Sequence, residues 1–186
     1  MDSKSFLDSL IFEYVGASDI KRAFQLESEG YPPEESATLE KLAYRQNVAP
    51  TLFLGAYLPS NFSDSHSTLS ERQLIGFVVS TLANASTITE ESMSHHNPVG
   101  KTVCIHSVCV DKLYRRRGVA TCMLNEYIKR LRNESQNKDM NLKYERVALM
   151  CHENLIPLYQ KVGFILKGES QVVHGNEKWF DLTFEF

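Results

Sequence analysis

Cys104-Ile105-His106-Ser107-Val108-Cys109-Val110, followed after four residues by Arg115-Arg116-Arg117-Gly118-Val119-Ala120, is the stretch on which the fold turns. Residues 101–110 are rich in apolar and β-branched side chains, as a buried strand is. Residues 118–132 repeat Val119, Met123, Tyr127 and Leu131 at every fourth position, the apolar stripe of a helix. A basic turn therefore joins a strand to a helix. At such a junction the unpaired N–H groups of the first helical turn and the helix dipole point at whatever lies in front of them, and an anion suits them. Gly118 frees the backbone to approach a diphosphate closely, Ala120 keeps the next contact small, and the three arginines add charge. The competing interpretation is a solvated charge run before a helix. A nucleic-acid surface gains no support, because neither an aromatic stacking platform nor a second basic cluster accompanies the patch.

Working outward, residues 10–15 read as an opening strand stopped by Gly16, and Ser18 or Asp19 can cap a helix that ends near Gly30. Pro32-Pro33-Glu34-Glu35 suits the start of a second helix carrying Ala37, Leu39, Leu42 and Ala43. Residues 51–57 and 73–82 predict an antiparallel hairpin around a long mobile loop at 59–72. Beyond the helix at 118–132, residues 133–141 read as a polar linker. A strand at 146–151 comes next, then a short helix at 154–162 closed by Gly163, and strands at 164–166 and 178–186. The expected class is α/β, a mixed sheet of about seven strands with about four helices, in one domain over residues 1–186.

The chain has 186 residues, 42% hydrophobic and 23% charged, with a formal charge of −3, values of an ordinary globular protein with no general pull toward nucleic acid. Its apolar runs are far shorter than the roughly 20 residues needed to cross a bilayer, and the N-terminus does not read as a signal peptide, so a cytoplasmic protein is expected. Cys104, Cys109, Cys122 and Cys151 lack paired spacing and are expected to be reduced. Cys104, His106 and Cys109 invite a zinc reading. On a regular strand, however, Cys104 and His106 share one face while Cys109 takes the other, which defeats tetrahedral chelation, and no metal is expected.

Arg115-x-x-Gly118-x-Ala120 after a strand resembles the R/Q-x-x-G-x-G/A signature of the GNAT superfamily of N-acetyltransferases. Ile88-Thr89-Glu90-Glu91-Ser92-Met93, the 104–110 strand and the stretch Ala148-Leu149-Met150-Cys151-His152-Glu153-Asn154-Leu155-Ile156-Pro157-Leu158-Tyr159-Gln160-Lys161-Val162-Gly163-Phe164 come in the order and spacing of the arylalkylamine (serotonin) N-acetyltransferases within it. The resemblance spans roughly residues 88–164. Glu27-Ser28-Glu29-Gly30-Tyr31-Pro32 resembles more loosely the acidic start of that family's mobile substrate-binding region.

The resemblance implies a GNAT fold and acetyl-CoA as cosubstrate. It places the pantetheine along the backbone of Val108, Cys109 and Val110, with an oxyanion facing one of these N–H groups, and the pyrophosphate on Arg116, Arg117, Gly118, Val119, Ala120 and Thr121. Attack of an amine on a thioester sets three tasks: deprotonating the amine, stabilising the oxyanion and protonating the thiolate. Tyr159, whose phenol has a pKa near 10, is implied as proton donor to the thiolate, the alternative being simple packing on a short helix. His106 is the leading base, the alternative being a satisfied core histidine. Cys104 stands where vertebrate relatives carry a further histidine, and a thiol is a poor base unless its pKa is depressed. Glu27 or Glu29 could assist through water, although both read more simply as solvated helix charges.

Val108 and Met150 are implied as walls of an amine pocket. Glu27, Glu29, Glu34 and Glu35 form an acidic group suited to polycations or to a plain helix surface, so arylalkylamines and polyamines stand together as substrates. The basic phosphorylation sites through which vertebrate relatives recruit a 14-3-3 partner are expected to be absent, the N-terminal segment reading as starting almost directly at the first strand and no Arg-rich serine motif preceding Phe186. A monomer is expected. Two further readings stay open: acetylation of protein N-termini or lysines, which needs an open groove, and a non-catalytic acetyl-CoA sensor.

Overall fold

A computed structural model describes residues 3–59, 72–136 and 143–186. The long loop expected at 59–72 and most of the linker expected at 133–141 lie outside the described residues. Seven strands form one sheet: β1 (Ile11–Tyr14), β2 (Phe53–Leu58), β3 (Gln73–Ala83), β4 (Thr102–Val110), β5 (Arg146–Cys151), β6 (Ile165–Glu169) and β7 (Phe180–Glu185). Their spatial order is β1-β2-β3-β4-β5-β7-β6, and every neighbouring pair is antiparallel except β4 with β5. Six α-helices accompany them among the described residues: α1 (Ser3–Asp8), α2 (Ile20–Gly30), α3 (Leu39–Val48), α4 (Glu90–Ser94), α5 (Val119–Gln136) and α6 (Ile156–Val162).

The central strands read as unbroken apolar runs because both faces of the sheet are covered. On one face the stripe of α5, with Val119, Met123, Tyr127 and Leu131, packs on Leu54, Val78, Val103, Ile105 and Leu149. Tyr127 is buried there, its hydroxyl donating to Leu52 O at 3.1 Å and sharing a hydrogen bond with Ser80 Oγ at 2.8 Å, in which the serine can donate. On the other face Ala23 and Leu26 of α2 and Leu42 of α3 pack on Phe53, Tyr57, Phe77 and Val79. None of the described helices is long and apolar enough to cross a membrane.

Several boundaries depart from expectation for local reasons. The chain does not run straight into its first strand, because α1 precedes it and sets Phe6 into the α5-side core. The two prolines do not open α3: they lie in the connector, and the helix starts after Thr38, whose side chain accepts the Lys41 N–H. α5 continues to Gln136 rather than ending at 132. α4 begins on a reciprocal cap between Thr89 and Ser92.

Two features of β4 shape the cavities beside it. Val79 pairs with Ser107 but Ser80 pairs with Ile105, so β4 carries one extra residue, a β-bulge at His106. The bulge reverses the alternation beyond it. Cys104 opposes Thr81 and Cys109 opposes Phe77, two β3 residues four apart, so both cysteines fall on one face, contrary to the regular-strand expectation. Among the described residues there is still no group of three or more side chains able to hold a metal ion. The second feature is the divergence of β4 from β5, which pair only from Thr102, Val103 and Cys104 to Arg146, Val147 and Ala148.

Candidate active site

Where β4 and β5 part, a groove of about 680 Å³ opens. Val108, Cys109 and Val110 form one wall, Asn154, Leu158 and Tyr159 the other, and the basic turn closes the end with Arg115, Arg116, Gly118, Val119, Ala120 and Thr121. Arg116 and Gly118 both adopt positive φ, 61° and 87°. With Arg115 extended, these two left-handed residues turn the backbone sharply just ahead of the unpaired N–H groups that open α5, a place suited to an anion. A left-handed arginine is uncommon and costs of order 1–3 kcal/mol, which the surrounding structure must hold in place. Arg115 supplies part of that hold, donating from Nε to Val110 O at 2.9 Å and from Nη2 to Glu29 O at 3.3 Å. Arg117 is placed elsewhere: its guanidinium stacks 3.8 Å over the Phe6 ring, which in turn stacks on Tyr114. α1 therefore buttresses the turn from behind, with Leu7 Cδ1 only 3.2 Å from where a Gly118 Cβ would stand.

The groove leads to a narrow inner pocket of about 30 Å³, room for little more than one water. His106, Val108, Met150, Met93 and Trp179 are among its walls, and Tyr31, Glu35, Val108 and Tyr159 line both cavities. His106 is exposed to this pocket yet enclosed by protein. Its Nε2 lies 2.7 Å from Thr81 Oγ1, and Nδ1 is buried without a partner among the described residues. Burial first, then the charges of Arg45 and Lys41, hold its pKa well below the usual 6.5, so the ring is neutral and one nitrogen is free to take a proton. Tyr159 is 5% exposed and packs edge-on against Phe164. Burial, with Cys151 and Cys109 nearby, raises its phenol above 10, so it stays protonated. Cys104, 0% exposed, packs with Ile88, Ala148 and Val172 and lines neither cavity. Burial pushes its thiol up to about 12, away from a base's range.

The pattern of the acetyltransferase (GNAT) family matches residues 20–164, from the start of α2 to just past the end of α6. The chain belongs to the GNAT acetyltransferase family. Serotonin N-acetyltransferase of Mesocricetus auratus is 24% identical over 174 residues, covering 92% of this chain and 75% of that one, and the Homo sapiens protein is 22% identical over the same span. Similar solved structures include the loading GNATL domain of CurA from Lyngbya majuscula (TM-score 0.74, 12% identity, 95% of this chain and 97% of that one). Arabidopsis thaliana NAA60 in complex with acetyl-CoA is another (TM-score 0.67, 22% identity, 95% and 99%).

In this GNAT chain the acidic residues expected at the helix surface divide sharply. Glu27 is 1% exposed and its carboxylate accepts from Ala37 N, Ser107 Oγ and Cys109 Sγ, at 2.9, 2.9 and 3.1 Å. It ties α2, the 31–38 connector and β4 together instead of being solvated. The sequence held a signal for this, since Glu27 lies four residues after buried Ala23, on the helix's inner face. Glu29, by contrast, is half-exposed beside Lys112, 3.8 Å away. Glu35 is buried against the inner pocket: its Oε2 lies 3.0 Å from His152 Nε2, and its backbone carbonyl 3.1 Å from His174 Nε2. Trp179 donates to His174 O and packs 4.1 Å from the His152 ring. His174 and Trp179 carry no sequence motif, and neither the 148–164 stretch that holds His152 nor the acidic group that holds Glu35 indicates that the two meet. Together the four residues roof the pocket by joining the 31–38 connector to the segment between β6 and β7.

Proposed function

We propose that this protein is an acetyl-CoA-dependent N-acetyltransferase of small primary amines, arylalkylamines or polyamines. The observation that carries the reading is the narrow, roofed inner pocket, which meets a groove ending in an anion-binding turn at the point where His106 and Tyr159 flank it. The donors present fit coenzyme A: the unpaired N–H groups that open α5 with Arg115 and Arg116 for the diphosphate, and the edge of β4 along Val108, Cys109 and Val110 for an extended pantetheine chain. Acetyl-CoA supplies an activated acyl thioester there.

The chain's own groups perform the three tasks. A substrate ammonium resembles that of lysine, with pKa about 10.4, and neutral His106 accepts its proton, directly or through water. Val108 N–H, at the unpaired edge of β4, donates to the developing oxyanion. Tyr159 O–H gives its proton to the thiolate as the carbon–sulfur bond breaks, and the second proton of the nitrogen, shed as the new carbon–nitrogen bond becomes an amide, restores the phenol directly or through water. Val108 and Met150 wall the amino group, and the pocket, too small at about 30 Å³ for a whole arylalkylamine or polyamine, widens by outward movement of its roof to seat the rest of the molecule.

Acetylation of peptide N-termini is the second reading, favoured by likeness of fold to the NatC complex bound to Gag peptide and CoA (TM-score 0.68, 17% identity, 96% of this chain and 99% of that one). The roof through Glu35 and His152 argues against it, because a peptide requires an open groove. Thiol release from acetyl-CoA, measured in parallel with tryptamine, phenylethylamine, spermidine and a lysine-containing peptide, tests the choice. Amine turnover at least about tenfold faster than peptide turnover is expected. Faster peptide turnover reverses the assignment, and cofactor binding without thiol release makes the protein a sensor.

A further inference from the structure

Tyr31 has no part in the roles above, yet it lines both the groove and the inner pocket. It is the first residue after α2, in extended conformation, and its phenol oxygen lies 3.4 Å from Val108 N, accepting that N–H. Val108 belongs to the part of β4 that β5 has left, so no strand carbonyl competes for the N–H. The phenol's own O–H donates to no acceptor among the described residues.

The contact is long for a hydrogen bond, and its length is informative. Two donors that each approach one shared oxygen to about 2.9 Å stand roughly 3.5–4.5 Å apart. The observed 3.4 Å lies just below that range, so a small outward movement of the connector brings the two groups into it and admits an oxygen between them. We propose that Tyr31 is a catalytic residue, the second donor of the oxyanion hole, its O–H converging with Val108 N–H on the thioester carbonyl oxygen as the amine adds.

Tyr31 donates a hydrogen bond and keeps its proton throughout; the thiolate takes its proton from Tyr159, so no proton is counted twice. Burial, with Cys109, Tyr159 and Glu27 nearby, holds the Tyr31 phenol well above its ordinary pKa, and it remains a donor at neutral pH. The inference rests on the acetyltransferase reading.

Tyr31→Phe keeps the ring and removes the donor. Loss of one oxyanion donor lowers kcat by about a hundredfold. The expectation is a fall of at least about tenfold, with affinity for coenzyme A by calorimetry within about threefold of wild type and the shape of the kcat–pH profile unchanged. Affinity for the trifluoromethyl ketone analogue of acetyl-CoA, whose hydrate carries the tetrahedral oxygen, falls by a similar factor, which loss of a packing contact alone would not produce. A loss below tenfold, an equal loss of coenzyme A affinity, or a faster variant overturns the assignment, the last by showing that the phenol merely obstructs the hole. Wild-type protein with no amine-dependent thiol release overturns the acetyltransferase reading and this one together. An active wild type with an unimpaired variant overturns this one alone.

Discussion

His106 and Tyr159 face one pocket with their proton affinities pushed in opposite directions, the histidine down and the tyrosine up. That separation lets one group accept a proton and the other deliver one at the same pH. Because the His106 pKa is lowered, its ring stays neutral as pH falls through 6.5 and is lost as a base only below its depressed value. The acid limb of the kcat–pH profile at saturating amine is therefore expected below 6.5, and a limb at or above it contradicts the assignment. His106→Gln lowers kcat by about 10- to 100-fold and Tyr159→Phe by a similar factor, each with little change in coenzyme A affinity. Cys104→Ala leaves the profile's shape alone, since the buried thiol does not ionise in this range. Val108, Met150, His106 and Tyr159 could be nominated from sequence because they sit inside contiguous motifs. Tyr31 could not be ranked, and Glu27 could be placed only on the inner face of α2, because their meaning depends on which β4 residue lies across from them, a tertiary fact.

At the scale of elements, the turn before α5 and the bulge in β4 do most to shape the site. Gly118 occupies left-handed backbone at φ 87°, and a side chain there would meet Leu7 of α1. Gly118→Ala is expected to cost about 1–2 kcal/mol of stability. It should also weaken coenzyme A binding about tenfold, as the N–H groups that open α5 turn away; calorimetry and a thermal melt separate the two effects. An unchanged Kd would mean that the diphosphate binds elsewhere. The strand–turn–helix order was legible because hydrophobic periodicity switches from strand to helix across Gly118. The bulge was not, since an extra residue in one strand is defined only by its partner's register, Ser80 against Ile105. α1 escaped notice because a helix of six residues carries too little periodicity to register.

For the molecule as a whole, the proposed function gives the roof the task of limiting what reaches the inner pocket. Glu35 holds the 31–38 connector to His152 after β5 and, through its carbonyl, to His174 before β7. Glu35→Ala releases the side-chain contact, and kcat/KM for a peptide relative to a small amine is expected to rise several-fold. An unchanged ratio would show that the roof does not set substrate size. Nothing in residues 31–38 or 170–179 announces this closure, because its contacts join positions more than a hundred residues apart.

β7 is the seventh strand to be made, yet it lies inside the sheet between β5 and β6, with β6 reaching the rest only through it. While the chain is being translated, β5 has no neighbour on that side and β6 none at all until residues 180–185 clear the ribosome tunnel. Half of the cavity wall thus waits on one late insertion, and a nascent chain stalled before it would present bare strand edges to chaperones and proteases.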